Sequence, residues 1–177
     1  NHIFAISPEY GYMWASDYRV AFVYTYLDNI LLRDNVMADK DNAWGPAHEI
    51  GHIHQKAINW PGCTESSNNL FSNYVLYKLG KYCSRGSELF HLADARFVEG
   101  QAWFDMRMYW QLWNYYHRCG YNEKFWQTLF QLLRADRIDE NNPGAAQLKL
   151  AVKASQAAHE DLSDFFELWG FFIPGKG

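Results

Sequence analysis

The segment from residue 44 to 55 constrains this chain most, because it holds two histidines four residues apart with a glutamate beside the first. These residues are His48, Glu49 and His52. On an α-helix, positions i and i+4 lie on one face, so the two imidazoles stand side by side and can share one Zn²⁺. Glu49 lies at the rim of this face, where it can take a proton from a zinc-bound water and return it to a leaving amine.

Local signals predict a helix through this motif. Gly45 can serve as its N-cap, and Pro46 suits the first helical position because its φ is already fixed. Gly51 costs a helix interior about 1 kcal/mol relative to alanine. A close approach by another backbone would justify a glycine there.

A catalytic zinc also needs a third protein ligand and an open position. The sequence offers Glu65, which follows a Trp-Pro-Gly turn at residues 60–62. Thr64 can cap a second helix that begins at Glu65 and continues to about residue 82, and folding back would bring Glu65 beside the histidines. Asn69 lies one turn further on the same face, where its amide can bond the far nitrogen of a ligand histidine.

These motifs resemble the enhancin-like zinc peptidases, a family with a gluzincin-type ligand pattern. The matching positions are Trp44, Gly45, Pro46, His48, Glu49, Gly51, His52, Gln55, Glu65, Asn69 and Ser72. The resemblance spans about Tyr12 to Phe171 and includes the segments 109–112 and 161–170. It implies a secreted or cell-surface zinc endopeptidase with one Zn²⁺ per chain, and several bacterial members cleave O-glycosylated, mucin-like proteins.

The length of 177 residues suits one catalytic domain, 1–177, of the α+β class and mainly α. We expect a zincin-like domain with a small sheet over about 1–43, helices over about 44–177 and the active cleft between them. The net charge of −4, with no basic run, gives no sign of nucleic-acid binding, and no apolar stretch approaches the ~20 residues of a membrane span. We expect a monomer, and the lack of a signal peptide predicts a trimmed or excised chain.

Periodicity gives the order of the remaining elements. Strands are predicted at about 2–6, 10–15 and 19–26, a helical turn at 29–33, a polar loop up to Trp44, and helices at about 97–118, 123–135, 144–158 and from a cap at Asp161. An edge strand of the sheet either binds an extended substrate backbone or only covers the helices. The sequence leaves both open.

The sequence also leaves several residue roles open. The candidates for stabilising the tetrahedral oxyanion are Tyr109, Tyr115, Tyr116 and His117, and the pattern does not choose among them. A disulfide between Cys63 and Cys83 is excluded if a continuous helix separates them by roughly 25–30 Å, because the bond needs Cα atoms within about 7 Å. A bond to Cys119 remains possible.

Two rival interpretations belong to other classes. One is a zinc-bearing module that recognises glycoprotein without cleaving it, and Glu49 argues against this because a binder needs no base. The other is a structural helical domain in which the motif is accidental, and the zinc content of the purified protein tests it.

Overall fold

The computed structural model describes residues 2–80 and 102–172, and the side chains of residues 40 and 102–106 lie outside that description. Its strands are β1 (His2–Ile6), β2 (Met13–Ser16) and β3 (Arg19–Val23). Its helices are α1 (Leu27–Leu31), α2 (Arg33–Ala38), α3 (Lys40–His54), α4 (Thr64–Ser67), α5 (Asn69–Lys78), α6 (Ala102–Trp113), α7 (Phe125–Ala135), α8 (Pro143–Ala158) and α9 (Ser163–Leu168). One small sheet and a majority of helix confirm the predicted mainly helical α+β class.

Backbone contacts divide the chain into two compact units. Among the described residues, the first unit contains 2–56 and 68–80, and the second contains 57–67 and 102–172. No helix in these ranges combines the length and the apolar character needed to cross a bilayer.

The sheet of the first unit has the order β1-β3-β2, with β1 parallel and β2 antiparallel to the middle strand. Residues 20–23 of β3 are all buried, on both faces of the strand. The predicted strand 19–26 is too long, because residues 24–26 form a 3₁₀ turn that leads into α1. The predicted sheet ahead of the histidine helix is confirmed.

Helix α3 begins at Lys40, so the predicted polar loop up to Trp44 and the predicted cap at Gly45 are both wrong. Asp39 is the N-cap, and its carboxylate accepts a hydrogen bond from the Asp41 amide at 2.9 Å. The cap bond satisfies a backbone donor that lacks a partner within the helix, and it favours an earlier start. Pro46 therefore lies inside the helix.

The predicted continuous helix 65–82 is also wrong in its described part, because α4 and α5 are separated by a turn at Asn68. The side-chain Nδ2 of Asn68 donates a hydrogen bond to the His48 carbonyl oxygen of α3 at 3.3 Å. Asparagine side chains compete with helical backbone bonds in this way. Residues 81 and 82 lie outside the described ranges.

Helical spacing in the sequence predicts that α5 buries one face, made of Leu70, Phe71, Tyr74, Val75 and Leu79. The buried face in the structure is different. Leu70 is buried as predicted, but Tyr74 is exposed. The fully buried positions also include polar residues, which are Asn69, Ser72 and Asn73. Helix α5 packs against α3. The buried polar residues Asn69, Ser72 and Asn73 are therefore enclosed, whereas Tyr74 faces out.

The second unit contains helices α6 to α9. Helix α6 continues into a π-helical turn, Asn114–Arg118, and Gly120 follows with a φ of 78°, which fits the predicted helix end. The start predicted near residue 97 lies outside the described residues. Helix α7 buries Phe125, Leu129 and Leu133 at the helical spacing that the sequence predicts.

Helix α8 begins one residue before the predicted start, because Asn142 caps it and Pro143 occupies its first turn. Two residues predicted for its inner face, Leu148 and Val152, are 58% and 46% exposed, so that face was assigned wrongly. The buried face is made of small residues together with Gln147 and Leu150. The N-cap of α9 is Leu162, so the cap predicted at Asp161 lies one residue too early, although Asp161 accepts a bond from the Ser163 amide.

Candidate metal centre

Two histidines of α3 and one glutamate of α4 form the candidate metal centre. His48, His52 and Glu65 each offer a ligand atom, and these atoms all lie within 4.8 Å of one another. A tetrahedral zinc with bonds of about 2.1 Å needs donor atoms about 3.4 Å apart, so modest side-chain movement brings them into coordination distance. The donor set of two imidazoles and a carboxylate fits a catalytic zinc, because it leaves a fourth position open.

Asn69 fixes the orientation of the His48 ring. Its side-chain Oδ1 lies 2.7 Å from His48 Nδ1, and Asn69 is fully buried at the start of α5. An amide oxygen only accepts, so His48 Nδ1 donates and the Nε2 lone pair remains available to a metal. The indole of Trp44 stacks on the same imidazole, with ring centroids 4.9 Å apart.

Gln55 holds the second histidine. Its side-chain Nε2 lies 2.9 Å from His52 Nδ1, and Gln55 is 1% exposed. A half-turn of this amide, which exchanges its nitrogen and oxygen, lets Nδ1–H donate to Gln55 and leaves Nε2 for a metal. Each imidazole thus has a buried amide on the nitrogen that lies away from the metal.

Gly51 allows the second segment of the site to approach α3. A Cβ at this position would lie 2.9 Å from the carbonyl oxygen of Asn68, which is closer than real Cβ contacts allow. The close backbone approach that the sequence led us to expect is therefore confirmed. It brings residues 68 and 69 against the helix that carries both histidines.

Asn68 is the residue that sequence reasoning missed. Its Nδ2 lies 3.0 Å from His48 Nδ1 and 3.1 Å from His52 Nε2, so the side chain lies beside both rings. Its Oδ1 is buried and has no hydrogen-bond partner within the described part of the chain. Two successive asparagines are poor helix formers, and that pair was the available signal for a break in the helix.

Glu49 is buried beside a centre whose third candidate ligand, Glu65, is exposed. Glu49 follows His48 directly on α3 and is 6% exposed. Shielding from bulk water strengthens the interaction of a carboxylate with a nearby metal or with a transferred proton. His54, two positions after His52, is exposed, and its ring lies 6.4 Å from that of Phe71, outside the ligand set.

The four oxyanion candidates have different environments. Tyr109 and Tyr116 are buried, Tyr115 is exposed and His117 is half-buried. The Tyr116 hydroxyl donates a hydrogen bond to Glu160, and burial together with this bond raises the pKa of Tyr116 above its usual value. These environments do not select one residue, so the choice among the four stays open.

Neither described cysteine adds a ligand to the centre. The buried Cys63 thiol donates to the Ile58 carbonyl oxygen at 3.2 Å. Cys119 is exposed, and no disulfide joins these two residues. Cys83 lies outside the described residues, and the helix between it and Cys63, assumed continuous for the distance argument, is interrupted.

Three comparisons with known proteins identify the family. The model of the family "Peptidase M60, enhancin and enhancin-like" matches residues 3–170. A solved metallopeptidase in complex with Tn antigen is 60% identical, with a TM-score of 0.85 over 100% of this chain and 36% of its own. A metallopeptidase from Bacteroides thetaiotaomicron is 56% identical, with a TM-score of 0.82 over 100% of this chain and 32% of its own.

A curated relative from an animal extends the comparison. TRPM8 channel-associated factor 3 of Mus musculus is 31% identical over 145 residues, which are 72% of this chain and 15% of that protein. This chain therefore spans about a third of the two solved relatives and less of the curated one. The match of the family model over almost the whole chain confirms the resemblance found in the sequence: the chain belongs to the peptidase M60, enhancin and enhancin-like family of metallopeptidases.

Proposed function

We propose that the chain is the catalytic part of a zinc endopeptidase that cleaves O-glycosylated, mucin-like proteins. The observation that carries the proposal is the convergence of His48, His52 and Glu65 within 4.8 Å, with Glu49 buried beside the first histidine. A metallopeptidase site needs this combination of three ligands and a base. The single domain predicted over 1–177 is part of the same proposal.

In the proposed mechanism, His48 and His52 bind the metal through Nε2 and Glu65 binds it through a carboxylate oxygen. A Zn²⁺ held by these residues would supply Lewis acidity to the scissile carbonyl and the attacking water. A carboxylate oxygen of Glu49 accepts the proton that this water loses and then delivers it to the nitrogen of the leaving amine. The hydrogen bonds of Asn69 and Gln55 keep both rings oriented while the charge on the site changes.

The substrate class is supported by a relative and not by a residue of this chain. The solved metallopeptidase that is 60% identical was captured with Tn antigen. An enzyme with such a substrate acts on extracellular protein, so we place this protein outside the cell or on its surface. We expect it to act as a monomer, with a glycoprotein as its partner and no nucleic acid.

The experiment that tests the proposal uses one glycoprotein in two forms. Purified protein is incubated with an O-glycosylated mucin-like protein and with the same protein after removal of its glycans, and mass spectrometry maps the fragments. We expect cleavage of the glycosylated form only, and no cleavage after treatment with a zinc chelator.

Other outcomes point to other functions. Equal cleavage of both forms would remove the glycan from the specificity of the enzyme. Tight binding of the glycosylated form, without fragments from either form, would support the recognition module instead.

A further inference from the structure

A cavity of about 470 Å³ opens in the second unit. One wall is the end of α6 with its π-helical turn, and the other is the segment that leads from α8 into α9. The volume lies within the roughly 300–1,000 Å³ that is usual for small-molecule sites. Its wall includes Tyr115 and Tyr116, two of the oxyanion candidates, but no proposed metal ligand or base.

Most of the cavity surface is apolar. Leu112, Leu162 and Phe165 contribute aliphatic and aromatic carbon, and Tyr115 and Tyr116 add their rings. A sugar needs hydrogen-bond partners for nearly all its hydroxyl groups, because burying an unpaired hydroxyl is costly. A cavity whose surface is mostly apolar therefore fits an apolar body better than a glycan, although Gln111 and Asn114 also line it.

Among the described residues that line the cavity, Glu160 is the charged one. This carboxylate accepts a hydrogen bond from the Tyr116 hydroxyl, and the raised pKa of Tyr116 keeps that phenol protonated. No Lys, Arg or His pairs with Glu160 within the described ranges. The remaining carboxylate lone pairs are thus available to a cation in the cavity.

The backbone of both walls departs from regular helix. Cys119 N–H bonds the Asn114 carbonyl oxygen at 2.9 Å, five residues back, and such π-turns are frequent at functional sites. On the opposite wall, His159 has a φ of 61°, which reverses the chain and brings Glu160 to the Tyr116 hydroxyl. The side-chain oxygen of Asn114 is buried without a hydrogen-bond partner among the described residues.

We propose that this cavity binds a small organic cation, with an apolar body between Leu112 and Phe165 and an ammonium group on Glu160. The apolar walls bind the apolar body. The Glu160 carboxylate, which also accepts a bond from the Tyr116 hydroxyl, binds the ammonium group through a charge-assisted hydrogen bond. The site is distinct from the proposed zinc site, because none of its lining residues is a proposed metal ligand or base.

The test uses phenethylamine as the probe, with 3-phenylpropionate as its anionic counterpart and galactose as a polar control. Calorimetry measures binding to the purified protein. In parallel, peptide mass spectrometry follows the alkylation of Cys119, an exposed residue in the cavity wall. We expect saturable binding of the amine, slower alkylation of Cys119 in its presence, and neither effect with the two controls.

Two charge-neutralising variants decide the role of Glu160. Glu160→Gln should weaken amine binding about tenfold or more, because it removes the charge on the acceptor. Glu167→Gln is the matched control, since Glu167 is an exposed residue of α9 that does not line the cavity, and it should bind the amine as the wild type does. The proposal is overturned if the amine does not saturate, if 3-phenylpropionate binds equally, or if Glu160→Gln binds the amine with wild-type affinity.

Discussion

At the scale of single residues, the glycines of α3 have different physical roles. Gly51 is required by the carbonyl oxygen of Asn68, which leaves no room for a Cβ. Gly45 faces the sulfur and methyl group of Met13 at 3.3 and 3.1 Å, and the end of a methionine side chain can move. Replacement by alanine is therefore expected to destabilise the protein at position 51 but not at position 45.

We predict that Gly51→Ala destabilises the protein by about 1–3 kcal/mol, through overpacking against Asn68. Gly45→Ala is the control and should be neutral or stabilising by up to about 1 kcal/mol, because alanine is the better helix former. Urea unfolding of both variants measures the difference. A Gly51→Ala protein as stable as the wild type would mean that the approach of Asn68 to α3 is looser than described.

Sequence reasoning at this scale was strong wherever spacing carries the geometry. The spacing of His48 and His52 predicts two rings on one face, and the structure places Glu65 within reach of both. Asn68 was missed because its position depends on a helix break that no local pattern fixes. The break is stabilised by its contacts with α3, which are formed only when the chain is folded.

At the scale of elements, helix starts depended on which polar residue acts as the cap. Asp39 accepts a bond from Asp41 N–H, whereas Asp34 is an exposed residue whose described ion pair is with the equally exposed Arg33. Both are acidic residues near helix starts, so the sequence alone does not distinguish them. Their hydrogen bonds do.

We predict that Asp39→Ala costs about 1 kcal/mol, the usual effect of losing an N-cap. Asp34→Ala should change stability by less than about 0.5 kcal/mol, because an exposed ion pair contributes little. Thermal unfolding of the two variants at neutral pH makes the comparison. Equal losses in both variants would show that Asp39 does not cap α3.

An ion-pair cluster links the end of α7 to α8. The Asp136 carboxylate lies 2.7 Å from Lys149 Nζ and 3.1 Å from Lys153 Nζ. Hydrogen bonds from the two lysines lower the pKa of Asp136 below its usual value of 3.8. A carboxyl group with a lowered folded-state pKa stabilises the protein above its unfolded pKa, and this contribution is lost as the pH falls through the folded value.

We predict that Asp136→Asn lowers the melting temperature at pH 7 and that the difference from the wild type shrinks as the pH falls through the lowered folded-state pKa of Asp136. Glu140→Gln, at an exposed position of the neighbouring loop, is the control and should match the wild type at neutral and at acidic pH. Calorimetric melting across this pH range tests the direction in which the stabilisation by Asp136 changes with pH. A difference that grows toward low pH would contradict the assigned direction.

At the scale of the whole molecule, the sequence predicted the class and the order of the elements. The sheet precedes the histidine helix, and helices follow to the end of the described chain. The faces of α5 and α8 were assigned less well, because Tyr74, Leu148 and Val152 are apolar in type yet exposed. Burial is set by what packs against a helix, and hydrophobic type alone does not report that.

The proposed mechanism separates the residues that hold the metal from the residue that moves the proton. Glu65→Ala removes a ligand, so this variant should lose most of its zinc and its activity together. Glu49→Gln keeps the size of the side chain and removes its basicity, so the metal should remain. Measuring these two variants side by side tests the ligand role of Glu65 and the base role of Glu49.

The most direct measurement determines zinc content and cleavage of a glycosylated substrate in parallel for the wild type, Glu49→Gln and Glu65→Ala. We predict one zinc per chain in the wild type and in Glu49→Gln, with cleavage reduced by at least about 10²-fold in the latter. Cleavage by Glu49→Gln at the wild-type rate, or full zinc occupancy in Glu65→Ala, would contradict the account.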